Sequence, residues 1–220
     1  MEAVGDCEER GTRAFAVHEV HKIACLDLRL ANTDRNGANI LVRQRPESER
    51  KAGEAELELI PIDHGYTLPH TLQDVSFEWE YWHQAEAPFE PATLQYIASL
   101  DSHADVRTLA AAGIELPPEC ARVLHCCTAL LQRGAAAGLS PAAIAAILTR
   151  RNETSMSDLE KMVNVACRAA AAAGKSGNGS AAAEREADDG RDHVFLHELR
   201  GLLDEYLAEL REDCLLDQLA

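Results

Sequence analysis

The sequence predicts a mainly α-helical protein with one small β-hairpin and an amphipathic helix at its C-terminal end. Three observations carry that fold class. Apolar residues recur at three- and four-residue spacing through most of the chain. Only two short runs, ILVR at 40–43 and LELIPI at 57–62, have the character of strands. A low-complexity stretch of small and polar residues, AAAGKSGNGSAAAEREADDGR at 171–191, separates the body from a last apolar stripe. The expected organisation is therefore a body at 1–172, a disordered linker at 173–191 and a helix at 192–220.

The elements follow in order. Residues 16–26 place Val17, Val20, Ile23 and Ala24 at helical spacing and lead into a polar loop at 30–39. The two strands come next, joined by the polar loop RPESERKAGEAE at 45–56. Pairing them puts Asn39 at the start of the hairpin and Asp63 at its end, converging on one place. Residues 63–92 lack periodicity and are punctuated by Gly65, Pro69, Pro88 and Pro91, which marks a long functional loop. Helices are expected at 91–100, 103–112, 117–133, 140–151 and 156–172. Pro117, Pro118 and Pro141 suit first turns, and Gly113, Gly134 and Gly138 suit helix ends. In the last segment Val194, Leu199, Leu202, Leu203, Tyr206 and Leu210 share a stripe. That stripe either packs back on the body or docks a partner or a second copy.

Composition narrows the partners. A net charge of −16 excludes nucleic acid. Four lysines in 220 residues cannot form the basic cluster that electrostatic docking to an anionic membrane needs. The seven cysteines make no C-x-x-C pair, so reduced thiols in the cytoplasm are expected rather than disulfides or a metal centre. Cys126 and Cys127 suit a helix core, with palmitoylation as the alternative. His18 and His21 lie one turn apart without a matching ligand set and are expected on the helix surface. Residues 1–15 carry no secretory signal, and no apolar run is long enough to span a bilayer.

Two motifs bear chemistry. Asp34 stands five residues before Asn39 in NTDRNGANIL, and Asp63 stands two before Gly65, directly after an apolar strand. A D-x₄-N loop followed by strand-D-x-G is how kinase-like sites supply one carboxylate for the acceptor hydroxyl and an amide and a carboxylate for Mg²⁺ beside the phosphates of ATP. The competing explanation makes these residues turn-formers.

The surrounding residues decide in favour of the kinase pattern. VHEVHKIACLDLRLANTDRNGANILV, LIPIDHGYTLP, FEWEYWHQAEAPF, PPECARVL and GLSPAAIAAILTR together resemble the phosphatidylinositol 3-/4-kinase superfamily. Within it they resemble the phosphatidylinositol 4-kinase gamma group of plants and algae, related to the type II 4-kinases. The likeness covers about residues 4–168. It implies a lipid-kinase-type C-lobe. It also implies transfer of the ATP γ-phosphate to the inositol 4-hydroxyl of phosphatidylinositol, or to a protein hydroxyl. An inactive interaction module is the non-enzymatic alternative. By resemblance Asp34 orients the acceptor, Arg35 organises its loop, Asn39 and Asp63 bind Mg²⁺ and ATP phosphates, and Gly65 allows the turn after the metal carboxylate.

Some residues depart from the pattern. Asn36 stands where many superfamily members have a histidine, and Ala38 precedes Asn39. Asp27 and Arg29 match the gamma group and are expected to brace the loop or form a buried ion pair. From Asp63 to Pro91 there is no Lys or Arg, which favours plain phosphatidylinositol over polyphosphorylated headgroups. Trp79, Tyr81 and Trp82 are expected to anchor the loop on the helical core, with peripheral membrane contact as the alternative. No segment resembles the glycine-rich loop or strand lysine of an N-lobe, so the 220 residues by themselves are expected to be an incomplete, inactive kinase.

Overall fold

The computed structural model describes residues 5–8, 11–50, 55–173 and 181–217. It is mostly helical, with the expected two-stranded antiparallel hairpin. Helix α1, Val17–Leu30, is the central element. Val20, Ile23, Ala24 and Leu28 form its buried face, which meets helices α4 and α5 and the hairpin. Because Leu28 continues that face, α1 outlasts the expected 16–26 and runs to the edge of the motif loop. Ala31 stops it in the left-handed region (φ 48°), with its N–H returned to the Asp27 carbonyl.

Strands β1, Ile40–Gln44, and β2, Leu57–Pro61, pair with Ile40 opposite Pro61 and Val42 opposite Leu59. The alternation buries Ile40, Val42 and Leu59. Residues 5–7 lie along the outer edge of β1: Cys7 N–H donates to the Ile40 carbonyl at 3.1 Å and Val42 N–H to the Gly5 carbonyl at 2.9 Å. On the other side, the Leu59 N–H donates to the carboxylate of Glu19 at 3.1 Å. That carboxylate is buried in α1 and also meets Lys22 and Arg45.

The long segment after β2 contains two short 3₁₀ turns, Glu78–Tyr81 and His83–Glu86. Phe77 stacks on Trp79 and Trp82 packs on Phe15. Both tryptophans are buried, so they anchor this segment to the core, and only Tyr81 faces outward (84% exposed).

Helices α2 (Pro91–Ala98), α3 (Ser102–Ala111), α4 (Pro118–Ala136), α5 (Pro141–Leu148) and α6 (Asp158–Ala173) follow close to their expected places. Asp101 caps α3 and Ser140 caps α5 through side-chain oxygens. Gly113 and Gly138 take positive φ beyond α3 and α4. Gly134 differs from expectation: it lies inside α4, where a β-carbon would stand 2.7 Å from Ile144 Cγ1. Its missing side chain lets α5 approach. Cys126 and Cys127 are core residues, 1% exposed each. Burial pushes the Cys127 thiol up to about 12. His21 also corrects the sequence expectation. It is buried, with Nε2 2.9 Å from the Gln84 carbonyl, because α1 has core on both flanks.

The last helix, α7, runs Ala181–Asp217, so residues 181–191 of the expected linker are helical; 174–180 lie outside the described residues, as do 218–220. Ala181–Ala183 and the Glu and Arg that follow are strong helix formers despite their low complexity. Phe195, Leu196, Leu199, Leu203 and Leu207 are buried, and α7 packs on α6 and α4. The Tyr206 hydroxyl donates to Asp158 at 2.8 Å and Arg122 lies over the Phe195 ring. The apolar stripe, expected either to pack back or to dock a partner, is covered within the chain.

Candidate active site

The site begins with two backbone facts. The loop after α1 is tight, and Asn39 is the residue before β1, while Asp63 is the second residue after β2. Antiparallel pairing extends one step past the strands, since Ile62 N–H donates to the Asn39 carbonyl at 2.9 Å. The D-x₄-N loop and the D-x-G turn are therefore neighbours by hairpin register. Two further bonds join them: Thr33 N–H to the Tyr66 carbonyl at 3.0 Å and Leu68 N–H to the Leu30 carbonyl at 2.7 Å.

Arg35 holds this junction from beneath. It is buried, 1% exposed, and Nε meets both oxygens of Asp27 at 3.1 and 2.9 Å. Nη1 donates to the carbonyls of Asn39 and Ile62, at 2.8 and 2.7 Å, and Nη2 lies 3.1 Å from His64 Nδ1. One guanidinium thus fixes the end of one motif and the start of the other, a planar multidentate geometry that lysine cannot reproduce. Asp27 is buried as well and accepts from Trp79 Nε1 at 3.0 Å and Asn32 Nδ2 at 3.0 Å. Backbone bonds from Arg35 N–H to the Ser76 carbonyl and from Glu78 N–H to the Arg35 carbonyl tie the same loop to the post-motif segment. Arg29, by contrast, pairs with Asp105 of α3, away from this network.

Above the arginine the motif side chains are open to solvent. Asp34 is exposed; its Oδ1 accepts from Asn36 Nδ2 at 3.1 Å. Asn36 also caps the short turn Gly37–Asn39, its Oδ1 accepting from Asn39 N–H. Asn39 Nδ2 donates to the Asp34 carbonyl at 3.1 Å, which leaves Oδ1 as its free acceptor. Asp63 is exposed and takes a left-handed φ of 51°, and Gly65 N–H donates to its Oδ1 at 3.3 Å. Left-handed backbone at a residue carrying a β-carbon is strained and collects at functional sites.

A hard cation such as Mg²⁺ takes oxygen donors, needs only one or two from protein and fills the rest with water and phosphate. Asn39 Oδ1 and the Asp63 carboxylate fit that donor set. Among the described residues no group of three or more His, Cys, Asp or Glu side chains could hold a metal. No described helix is long and apolar enough to cross a membrane.

Asp34, Arg35, Asn39, Asp63 and Gly65 all fall at this one junction, although Arg35 lies beneath it rather than at its open face. Reasoning from sequence missed the partners Trp79 and His64 and the hairpin clamp Glu19. A glutamate one turn into an apolar helix face was the available signal for Glu19; nothing in the spacing marks the other two.

Comparison with known proteins bears on the whole region. Residues 1–144 match the family described as phosphatidylinositol 3- and 4-kinase. The chain is 50% identical over 162 residues to phosphatidylinositol 4-kinase gamma 4 of Oryza sativa subsp. japonica, covering 74% of this chain and 27% of that protein. It is 45% identical over 161 residues to phosphatidylinositol 4-kinase gamma 3 of Arabidopsis thaliana, again covering 27% of the relative. The chain therefore spans about a quarter of the length of the curated relatives it matches.

Proposed function

From the premise that this chain belongs to the phosphatidylinositol 3- and 4-kinase family, we propose that residues 27–65 carry the acceptor and metal loops of an ATP-dependent phosphotransferase acting on the 4-hydroxyl of phosphatidylinositol. The observation that carries it is the Arg35 bridge, whose Nη1 bonds the Asn39 and Ile62 carbonyls and so registers the two motifs.

In this proposal Asp34 accepts a hydrogen bond from the inositol hydroxyl and takes its proton as the oxygen attacks. The new bond forms between that oxygen and the γ-phosphorus while the bond to the β–γ bridging oxygen breaks, and ADP leaves. Asn39 Oδ1 and the Asp63 carboxylate would hold Mg²⁺, which would offset phosphate charge when bound. Gly65 donates its N–H to Asp63 and keeps the carboxylate in place. Arg35 touches none of the reacting atoms; it sets the spacing of the loops that do. The lysines among the described residues, Lys22 and Lys161, pair with Glu19 and Asp158, away from the junction. Among the described residues no lysine is therefore placed to position the phosphates, and we propose that residues 1–220 alone transfer no phosphate.

The test is a chimera of the rice relative in which the matched segment is replaced by the corresponding residues of this chain. Supplied with radiolabelled ATP and phosphatidylinositol vesicles, it should label lipid at the inositol 4-position. Asp63→Ala and Asp34→Ala should each lower turnover by at least about 10³-fold, or roughly 4 kcal/mol of transition-state stabilisation. Labelled protein with unlabelled lipid would replace the lipid hydroxyl by a protein one. Full activity in Asp63→Ala would remove the assignment altogether.

A further inference from the structure

We propose that His64 is a positioning residue: its imidazole, held by Arg35 in one tautomer, keeps Asp63 in its left-handed conformation and the Asp63–Gly65 turn in register with the acceptor loop. The proposal rests on the assignment of Asp63 made above, and its test separates the two.

The left-handed backbone at Asp63 needs surroundings that over-determine it. The bonds inside the turn are local. Gly65 N–H reaches Asp63 Oδ1 at 3.3 Å, and Thr67 N–H and Oγ1 reach the His64 carbonyl at 3.3 and 2.9 Å. Such bonds shape a turn without fixing it to the body. The neighbouring ties act at Ile62 before the turn and at Tyr66 and Leu68 after it. Between those points the contact of Arg35 Nη2 with His64 Nδ1, at 3.1 Å, anchors the residue next to Asp63.

A guanidinium offers donors only. Nδ1 must present its lone pair, so the proton of the neutral ring sits on Nε2. Arg35 cannot swing to suit the imidazole, because Asp27 and the two carbonyls already fix it. The imidazole therefore adapts to the arginine, and the turn follows the imidazole. An apolar side chain at this position would lose the tie, whereas asparagine could return it, its Oδ1 lying near the place of Nδ1.

The experiment uses residues 1–220 with His64→Asn and His64→Leu beside the unsubstituted chain. Long-range ¹H–¹⁵N correlation should show the Nε2–H tautomer at His64; an Nδ1–H tautomer would overturn the proposal without any variant. Amide exchange at Gly65 and Thr67 should rise about tenfold or more in His64→Leu and stay within about threefold in His64→Asn, with the global unfolding midpoint little changed. Equal exchange in all three proteins, or equal acceleration in both variants, would overturn it. Mn²⁺ added to the same samples should broaden Asp63 and Asn39 signals in the unsubstituted chain and in His64→Asn at lower concentrations than in His64→Leu. No broadening in any of them would sink the metal assignment, while the exchange data would still decide the role of His64.

Discussion

Replacing Asp27 by alanine tests the network beneath the site. The side chains of Asp27 and Arg35 are 1% and 0% exposed. Removing one partner of a buried pair leaves an uncompensated charge and typically costs about 3–5 kcal/mol. The Trp79 indole N–H loses its acceptor too, which by itself costs about 1–3 kcal/mol. The terms overlap, so a loss of about 4–6 kcal/mol is expected, against a total stability of about 5–15 kcal/mol for a typical domain. Asp27→Asn keeps the shape and one acceptor oxygen and should lose about 2–3 kcal/mol, a fall in Tm of roughly 4–12 °C for a chain of this size. Urea denaturation followed by circular dichroism reads both, with the slope against denaturant unchanged. The control is Asp105→Ala, which removes the partner of Arg29. Asp105 is 40% exposed, so a loss within about 1 kcal/mol is expected. If Asp27→Ala cost no more than Asp105→Ala, the Arg35 hub would not be what holds the motifs in register.

The other predictions probe separate regions. His125, stacked on His103 and bonded through Nδ1 to the Ser102 hydroxyl, is held by burial down to about 4 from its ordinary 6.5. The unfolded chain thus binds the extra proton first. The neutral form's contribution is complete above pH 6.5 and should fade as pH drops toward 4, a loss of about 2–3 kcal/mol once solvent screening of the half-buried ring is discounted, which His125→Asn removes from a stability–pH profile. Gly134→Ala would press a β-carbon against the buried Ile144 and should cost about 1–3 kcal/mol in thermal denaturation; a neutral result would mean α5 can retreat freely. In the chimera, phosphatidylinositol should be phosphorylated faster than a bisphosphorylated lipid, because residues 63–91 hold no Lys or Arg; equal rates would place headgroup recognition elsewhere.

The body was legible because its signals are local. Caps and prolines bracket α2 to α6, and two apolar runs of strand length flank a polar loop. Asn39 and Asp63 were readable as neighbours because hairpin register alone brings them together. The support beneath them was not. The Trp79–Asp27 bond joins residues 52 positions apart and the Arg35–His64 contact residues 29 apart, and no periodicity announces a long-range polar bond. Low complexity in 181–191 hides good intrinsic helix propensity, and the apolar stripe marks only the later part of α7. The burial of His21 is not legible in the spacing, because a histidine one turn from another suggests a wet face, whereas α1 has core on both flanks.

The hairpin at the heart of the site is also a hazard, and both of its sides are guarded. Residues 5–7 occupy the outer edge of β1, and a buried carboxylate from α1 takes the outward N–H at the middle of β2. A two-stranded ribbon with open edges offers its unpaired amides and carbonyls to any other extended chain. Here residues 5–7 cover the start of β1, from Ile40 to Val42, for as long as they stay in place. Shortening the polypeptide past Cys7 would strip one guard without touching a single motif residue. Its first visible consequence would be self-association through β1, appearing as turbidity and new intermolecular sheet long before any change at the open face of the motifs.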